Sequence, residues 1–419
     1  MTSRRAPAEP LALENFDLLD VNAGKLVPGC ALTIENGRIA SITQGRLAAS
    51  SAKMRRLDLK GRTLMPGLID CHVHILQSIF PQSADFLPSY LTAAAVVRLG
   101  EMLDRGFTTV RDAGGADAGH RKAVEDGLVR GPRLFVAGRA LSQTGGHGDA
   151  RSQADMLEPC GCSTLLKGGI GRIVNGVPDV LQAVRDEIRL GADQIKIMSG
   201  GGIGSPHGFL EYDQFTEDEI RAIVDEARRA RRYVMAHVYS AEGVKRLVRL
   251  GVRSIEHGNL IDDEAALMMK EAGAFLVANL IVYEVVAKFG REHGFPEEGL
   301  ARLQTILDAG TRSIELAAHH GVKLGYGSDL VKAPDYQSDE FLIRVRVQKP
   351  IEVIRSATVV GAEIVGRAGR LGVIAEGAIA DLIAVDGNPM DDIALLTGQG
   401  RHMPLIVKDG RVEKSVGLD

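Results

Sequence analysis

An α/β fold is what this sequence predicts: a (β/α)8 TIM-type barrel joined to a small β-sandwich domain built from both chain ends. Three observations carry it. Short apolar, strand-like runs alternate eight times with helical patterns through the middle of the chain. Residues able to hold a metal close or follow several of those runs, and a barrel gathers its strand ends at one mouth. Short strands separated by turns occupy both ends, and neither end alone has enough of them to bury a face.

The expected divisions are 1–66 and 369–419, the two parts of the β-sandwich domain, and 67–368, the barrel. In the first part Ala31–Gly37 turns into Arg38–Ile42 through Asn36-Gly37, a hairpin signal. At the far end Leu371–Ile374, Ala380–Val385 and Leu405–Val412 read as strands. The barrel strands are expected at Leu68–His72, Thr108–Asp112, Arg133–Ala137, Gln194–Met198, Tyr233–Ala236, Ser254–Glu256, Phe275–Ala278 and Lys323–Gly325. Helical periodicity covers Tyr90–Arg105, Val177–Leu190, Glu217–Arg232, Ala241–Leu250, Asp262–Glu271 and Gly299–His319. Gly191 and Gly251 stop two of these helices just before a strand. The stretch 138–178 is too long for an ordinary barrel loop, as binding loops and lids often are. An open doubly wound sheet fits the alternation too, but would not bring residues from strands one, four, five, six and eight around one point.

Composition narrows the function. A chain of 419 residues that is 45% hydrophobic can bury a large core. A formal charge of −4 gives no attraction to nucleic acid or an anionic membrane. Arg228-Arg229 and Arg231-Arg232 read as a solvated helix face. Four cysteines make no disulfide scaffold at this length: Cys71 reads as a packed thiol, Cys160 and Cys162 as loop thiols. Neither a signal-peptide pattern nor a membrane span is legible, so a cytoplasmic enzyme is expected, with self-association left open.

The chemistry starts at Leu68–His74. Period-two geometry puts His72 and His74 on one side of an extended segment, with Asp70 beside them as an expected acceptor for an imidazole N–H. Lys196 sits among apolar residues that face the other way, where an ammonium is costly; carbon dioxide could convert it to a carbamate able to bridge two cations. His237 and His257 close neighbouring strands. Asp329 follows Gly325 and Gly327, which allow close backbone approach, and its carboxylate can both ligate metal and take a proton from water.

Pro66–His74, Ile195-Lys196-Ile197, Ala236-His237, Glu256-His257-Gly258 and Gly327-Ser328-Asp329 together resemble the amidohydrolase superfamily, in its binuclear branch with a carboxylated lysine. The likeness spans nearly the whole chain. It implies one divalent ion on His72, His74 and Asp329, a second on His237 and His257, and carboxylated Lys196 bridging them, zinc being the usual metal. It also implies hydrolysis by metal-activated hydroxide, with Asp329 moving the proton.

His147, in Gln143–Asp149, and Tyr239, two residues past His237, resemble the imidazole and phenol used by the prolidase-like and carboxypeptidase-like subgroup. That subgroup implies cleavage of an amide to a C-terminal amino acid: an Xaa-Pro or other dipeptide, an N-acyl amino acid, or an ochratoxin-type amide. Arg111 and His207 are candidates for contacting such a substrate, with Arg111-Asp112 as an internal pair the other reading of Arg111. Tyr326 and 332–336 could shape selectivity. Hydrolysis of cyclic amides of imidazolone type, or of ureas and carbamates, uses the same carbonyl chemistry and stays open.

Overall fold

The computed structural model describes residues 8–47, 54–76, 87–149, 151, 170–205, 209–292, 294–295, 297–330 and 334–418. The N-terminal strands are β1 (Leu11–Asp20), β2 (Lys25–Glu35), β3 (Arg38–Gln44) and β4 (Arg55–Pro66). Asn36 and Gly37 take φ values of 52° and 76°, the two positive angles that a tight turn between right-twisted strands demands.

The chain then enters β5 (Leu68–Val73), β6 (Phe107–Asp112), β7 (Arg133–Phe135), β8 (Ala140–Ser142), β9 (Gly171–Ile173), β10 (Ile195–Met198), β11 (Val234–Ser240), β12 (Ser254–Leu260), β13 (Phe275–Val277) and β14 (Lys323–Leu324). All pairings among them are parallel. Eight of the runs occupy the expected strand positions. The third is bent at Gly138, φ 69°: β7 pairs with β6, and beyond the bend β8 pairs with β10. Closure comes from the Cys71 N–H donating to the Tyr326 carbonyl (2.7 Å) and the Asp329 N–H to that of His72 (2.8 Å). The segment 138–178 is therefore not wholly irregular, since it contains β8, β9 and the start of a helix.

Strand alternation explains where the core sits. Ile195 and Ile197 join Val234, Ile255 and Leu276 in a buried cluster with the helix residues Ile220, Val244 and Leu247, leaving Lys196 to the other side. Burying each such side chain contributes about 1.5–3 kcal/mol. The helix Glu217–Arg229 starts on a capping box in which Thr216 and Glu219 satisfy each other's backbone N–H. The expected helix 299–319 is two, Glu297–Ala309 and Arg312–His320, divided at Gly310 with φ 56°. Among the described residues no helix is long and apolar enough to cross a membrane.

Three strands complete the chain: β15 (Leu382–Val385), β16 (Leu405–Lys408) and β17 (Arg411–Ser415). They extend the N-terminal sheet in the order β17-β16-β15-β4-β1-β2-β3. The join is β4 to β15, antiparallel, with Pro66 opposite Leu382. The stretch read as one strand, Leu405–Val412, is instead a hairpin, turned by Asp409-Gly410 at φ 50° and 73°. Leu371–Ile374 is not a strand; Leu371 is buried against Ile69 and Ile364, where side-chain packing rather than a ladder holds it.

Candidate metal centre

His72, His74 and Asp329 bring one ligand atom each to within 4.8 Å of one another, a metal-ligating triad. His72 lies in β5 and His74 one residue past its end, where continued alternation puts the two on one side, and their ring centroids lie 5.3 Å apart. Asp329 follows β14 at φ 53°, a conformation that non-glycine residues rarely adopt. Gly327 lets it come close: a Cβ there would meet Asn279 Oδ1 at 2.2 Å and the His72 Cβ at 3.0 Å.

Each imidazole is tied on one nitrogen. His72 Nδ1 lies 2.7 Å from Glu256 Oε2, and His74 Nδ1 lies 2.9 Å from the Gly114 carbonyl. His257 Nδ1 lies 2.7 Å from the Tyr283 hydroxyl, and His237 Nε2 2.8 Å from the Gly201 carbonyl. A carbonyl or carboxylate there takes the ring N–H, which leaves a lone pair on the other nitrogen. For His74 and His72 those free nitrogens turn toward Asp329, Nε2 at 3.2 Å and 3.4 Å, and His257 Nε2 lies 4.0 Å from the same carboxylate. The rings of His237 and His257 have centroids 4.4 Å apart. Burial drives the pKa of His72 and His237 well below the ordinary imidazole value and that of His257 to about 3, so all three are neutral near pH 7.

Lys196 is 1% exposed in the same enclosure. Burial lowers its pKa to about 8, against the opposing charges of Glu256 and Asp329. Burial also works against the Asp329 carboxylate, but His72, His74 and His257 outweigh it and hold that carboxyl well below the usual range.

His147 stacks on His237, with centroids 4.2 Å apart and planes 26° from parallel. Its backbone N–H donates to Gln214 Oε1 at 3.0 Å, and its Nδ1 is a buried atom without a protein partner. Burial, then the Lys196 charge, lowers its pKa to about 4. Tyr239 is 2% exposed, with its ring 5.1 Å from His237 and 5.2 Å from His257. Thus residues expected to act together, from β5, β10, β11, β12 and the segments after β8 and β14, share one mouth.

Other expectations change. Asp70 does not receive an imidazole N–H. It accepts the His72 backbone N–H (3.0 Å), the Ser328 hydroxyl (2.6 Å) and the Gln337 amide (2.9 Å), clamping β5 to the Asp329 turn. Arg111 does not face a substrate cleft: it is fully enclosed, donating to Glu256 Oε1 at 2.8 Å, to Ser254 Oγ at 3.2 Å and to the Cys71 carbonyl. Its partner is Glu256 rather than Asp112, which caps the backbone N–H groups of Ile75, Gly114 and Ala116. Tyr326 packs on Phe107 and Phe341 and donates to the Gln337 carbonyl at 2.7 Å, inside the core. His207, Cys160 and Cys162 lie outside the described residues.

Sequence reasoning missed Glu256, Tyr283 and Asn259. Alternation assigns Glu256 and His257 to opposite faces of β12, but His257 has φ 73°, which re-aims the chain so that consecutive residues serve one centre. Tyr283 sits in an apolar run on the helix Ile281–Phe289, with no signal marking it as polar machinery.

Residues 63–412 match the amidohydrolase family model. The chain belongs to the amidohydrolase family. Among curated members it is 31% identical to an ochratoxinase from Aspergillus niger, over all of this chain and 91% of that one. A crystal structure of a prolidase complexed with N-methylphosphonate-L-proline superposes with a TM-score of 0.94 at 46% identity, covering 97% of this chain and all of that one. A Xaa-Pro dipeptidase with methionine bound in its active site gives 0.88 at 30% identity, over 97% and 100%. As in these amidohydrolases, the architecture is a barrel carrying a β-sandwich from both chain ends, and the protein is a metal-dependent hydrolase of amide bonds.

Proposed function

We propose that this amidohydrolase cleaves the amide bond to a C-terminal amino acid, as a dipeptidase-like or carboxypeptidase-like peptidase acting on Xaa-Pro dipeptides, N-acyl amino acids or ochratoxin-type amides. The observation that carries the reading is the set of imidazoles tied at one nitrogen with the other turned toward Asp329. The likeness to a prolidase complexed with a phosphonate-proline compound points to the substrate class.

The donor set fits two divalent ions. His72, His74 and Asp329 would hold one, His237 and His257 the other, with carboxylated Lys196 shared; nitrogen and oxygen donors without thiolate suit zinc among other metals. Such ions, when bound, supply Lewis acidity toward the amide carbonyl and lower the pKa of an attacking water. Lys196 suits its part because a depressed pKa leaves neutral amine to add to carbon dioxide, forming N–COO⁻ and releasing a proton.

Asp329, ionised and held among imidazoles, accepts a proton from the attacking water and returns it to the leaving nitrogen. His147, neutral at working pH, and the Tyr239 phenol donate to the oxygen that gains charge as the carbonyl becomes tetrahedral. The test is mass detection of both products from metal-reconstituted protein, on Xaa-Pro dipeptides, N-acyl amino acids, an ochratoxin-type amide, cyclic amides and carbamates. Release of a free C-terminal amino acid supports the proposal. Turnover confined to cyclic amides or carbamates would replace it.

A further inference from the structure

Behind His257 lies a hydrogen-bond chain whose direction can be read atom by atom. Asn259, 2% exposed, has its Nδ2 3.1 Å from the Ala278 carbonyl. A carbonyl can only accept, so the amide nitrogen must face it, and Asn259 Oδ1 faces the other way as an acceptor. There it meets the Tyr283 hydroxyl at 2.9 Å. That hydroxyl has one proton, and Oδ1 must receive it. The Tyr283 oxygen then accepts from His257 Nδ1, 2.7 Å away. Every proton in the series runs from His257 toward Ala278, and the remaining lone pair of His257 is on Nε2.

The alternative order fails at one point. Were Tyr283 to donate to His257 Nδ1, the imidazole would carry its hydrogen on Nε2, and Asn259 Oδ1 would be a buried acceptor without a donor. The Tyr239 hydroxyl, 3.4 Å from Tyr283, competes weakly for the Tyr283 proton because Oδ1 is nearer.

We propose that Asn259 is a positioning residue: its amide fixes the direction of this buried chain and so presents the His257 Nε2 lone pair to the metal centre. The proposal rests on the functional reading above only in taking His257 as a ligand. Asn259 touches neither metal nor substrate; it acts through Tyr283.

The test is a Zn2+ titration of the full-length protein against a chromophoric chelator, read separately from turnover. In Asn259→Leu, the Tyr283 proton loses its acceptor and is free to turn to His257 Nδ1. In Tyr283→Phe, the acceptor for Nδ1–H is gone. Each is expected to weaken binding of the second Zn2+ by about 10- to 100-fold, as for other partners of ligating histidines. The double variant is expected to be no weaker than Tyr283→Phe alone. Asn259→Asp still accepts from Tyr283 but sets an oxygen against the Ala278 carbonyl, and is expected to weaken binding less than Tyr283→Phe does. Wild-type affinity in Asn259→Leu, losses that multiply in the double variant, or a loss in Asn259→Asp equal to that in Tyr283→Phe would each overturn the proposal. If Asn259→Leu does not fold, the contrast between Asn259→Asp and Tyr283→Phe decides. Wild-type protein that binds two Zn2+ but cleaves none of the amides would refute the substrate reading and leave this titration intact.

Discussion

Replacing Glu256 by Gln should separate two jobs that one carboxylate performs. Its Oε1 receives Arg111 at 2.8 Å and Ser254 Oγ at 2.6 Å, while Oε2 meets His72 Nδ1 at 2.7 Å, and Glu256 and Arg111 are both fully buried. Gln keeps an acceptor for Arg111 but removes the charge, leaving a guanidinium enclosed without a counter-ion; this should cost about 3 kcal/mol, the low end for breaking a buried pair. It also turns an NH2 toward His72 Nδ1, which favours the tautomer with hydrogen on Nε2. Metal affinity should then fall by about 10- to 100-fold, ~1.4–2.8 kcal/mol. Denaturant unfolding of metal-free protein reads the first effect, and chelator competition the second. Adding Arg111→Met removes the stranded charge, so the double variant should recover much of the stability and none of the metal affinity. Wild-type metal affinity in Glu256→Gln would refute the tautomer reasoning, and stability lost further in the double variant would refute the buried-charge reasoning.

Other outcomes follow from the same geometry. Gly202→Ala should reduce turnover with little change in metal content, because its Cβ would stand 2.2 Å from His147 Cε1 and must displace that ring; product formation and elemental analysis check it together. His147→Gln and Tyr239→Phe should each lower kcat by about 10²–10³ if they donate to the developing oxyanion. Reconstitution of metal-free protein with metal at a fixed concentration of dissolved carbon dioxide should speed up as pH rises through about 8 and level off above it, since Lys196 is protonated below that value and neutral above; a rate independent of pH from 7 to 9 under those conditions would argue against carboxylation. Chelation should abolish turnover, and divalent metal should restore it.

Much of this was open to reading from the chain alone, for identifiable reasons. Apolar runs of strand length, broken by helical periods, fix where the barrel strands fall, and alternation along β5 and one residue past it places His72 and His74 together. Tertiary packing decided what periodicity could not. Leu371–Ile374 has the composition of a strand but is held by side-chain contacts, and Gly310 divides a continuous helical pattern. Asp70 and Arg111 have the residue types of a site, yet their partners come from Ser328, Gln337 and Glu256, far away in sequence. No local pattern announces such pairings. The same holds for His257: a single dihedral outside the strand region lets Glu256 and its neighbour face one centre, and residue types alone do not disclose a dihedral.

The join between β4 and β15 sets a schedule for the nascent chain. Pro66 waits for Leu382, which the ribosome adds 316 residues later (382 − 66). At about 5–20 residues per second, that delay is roughly 16–63 s. Through it the inner edge of the first four strands has no neighbour, so conditions that slow elongation should lengthen its exposure to chaperones and to other copies. Moving the chain ends to a surface loop of the barrel by circular permutation would make the two halves of that sheet contiguous and remove the wait.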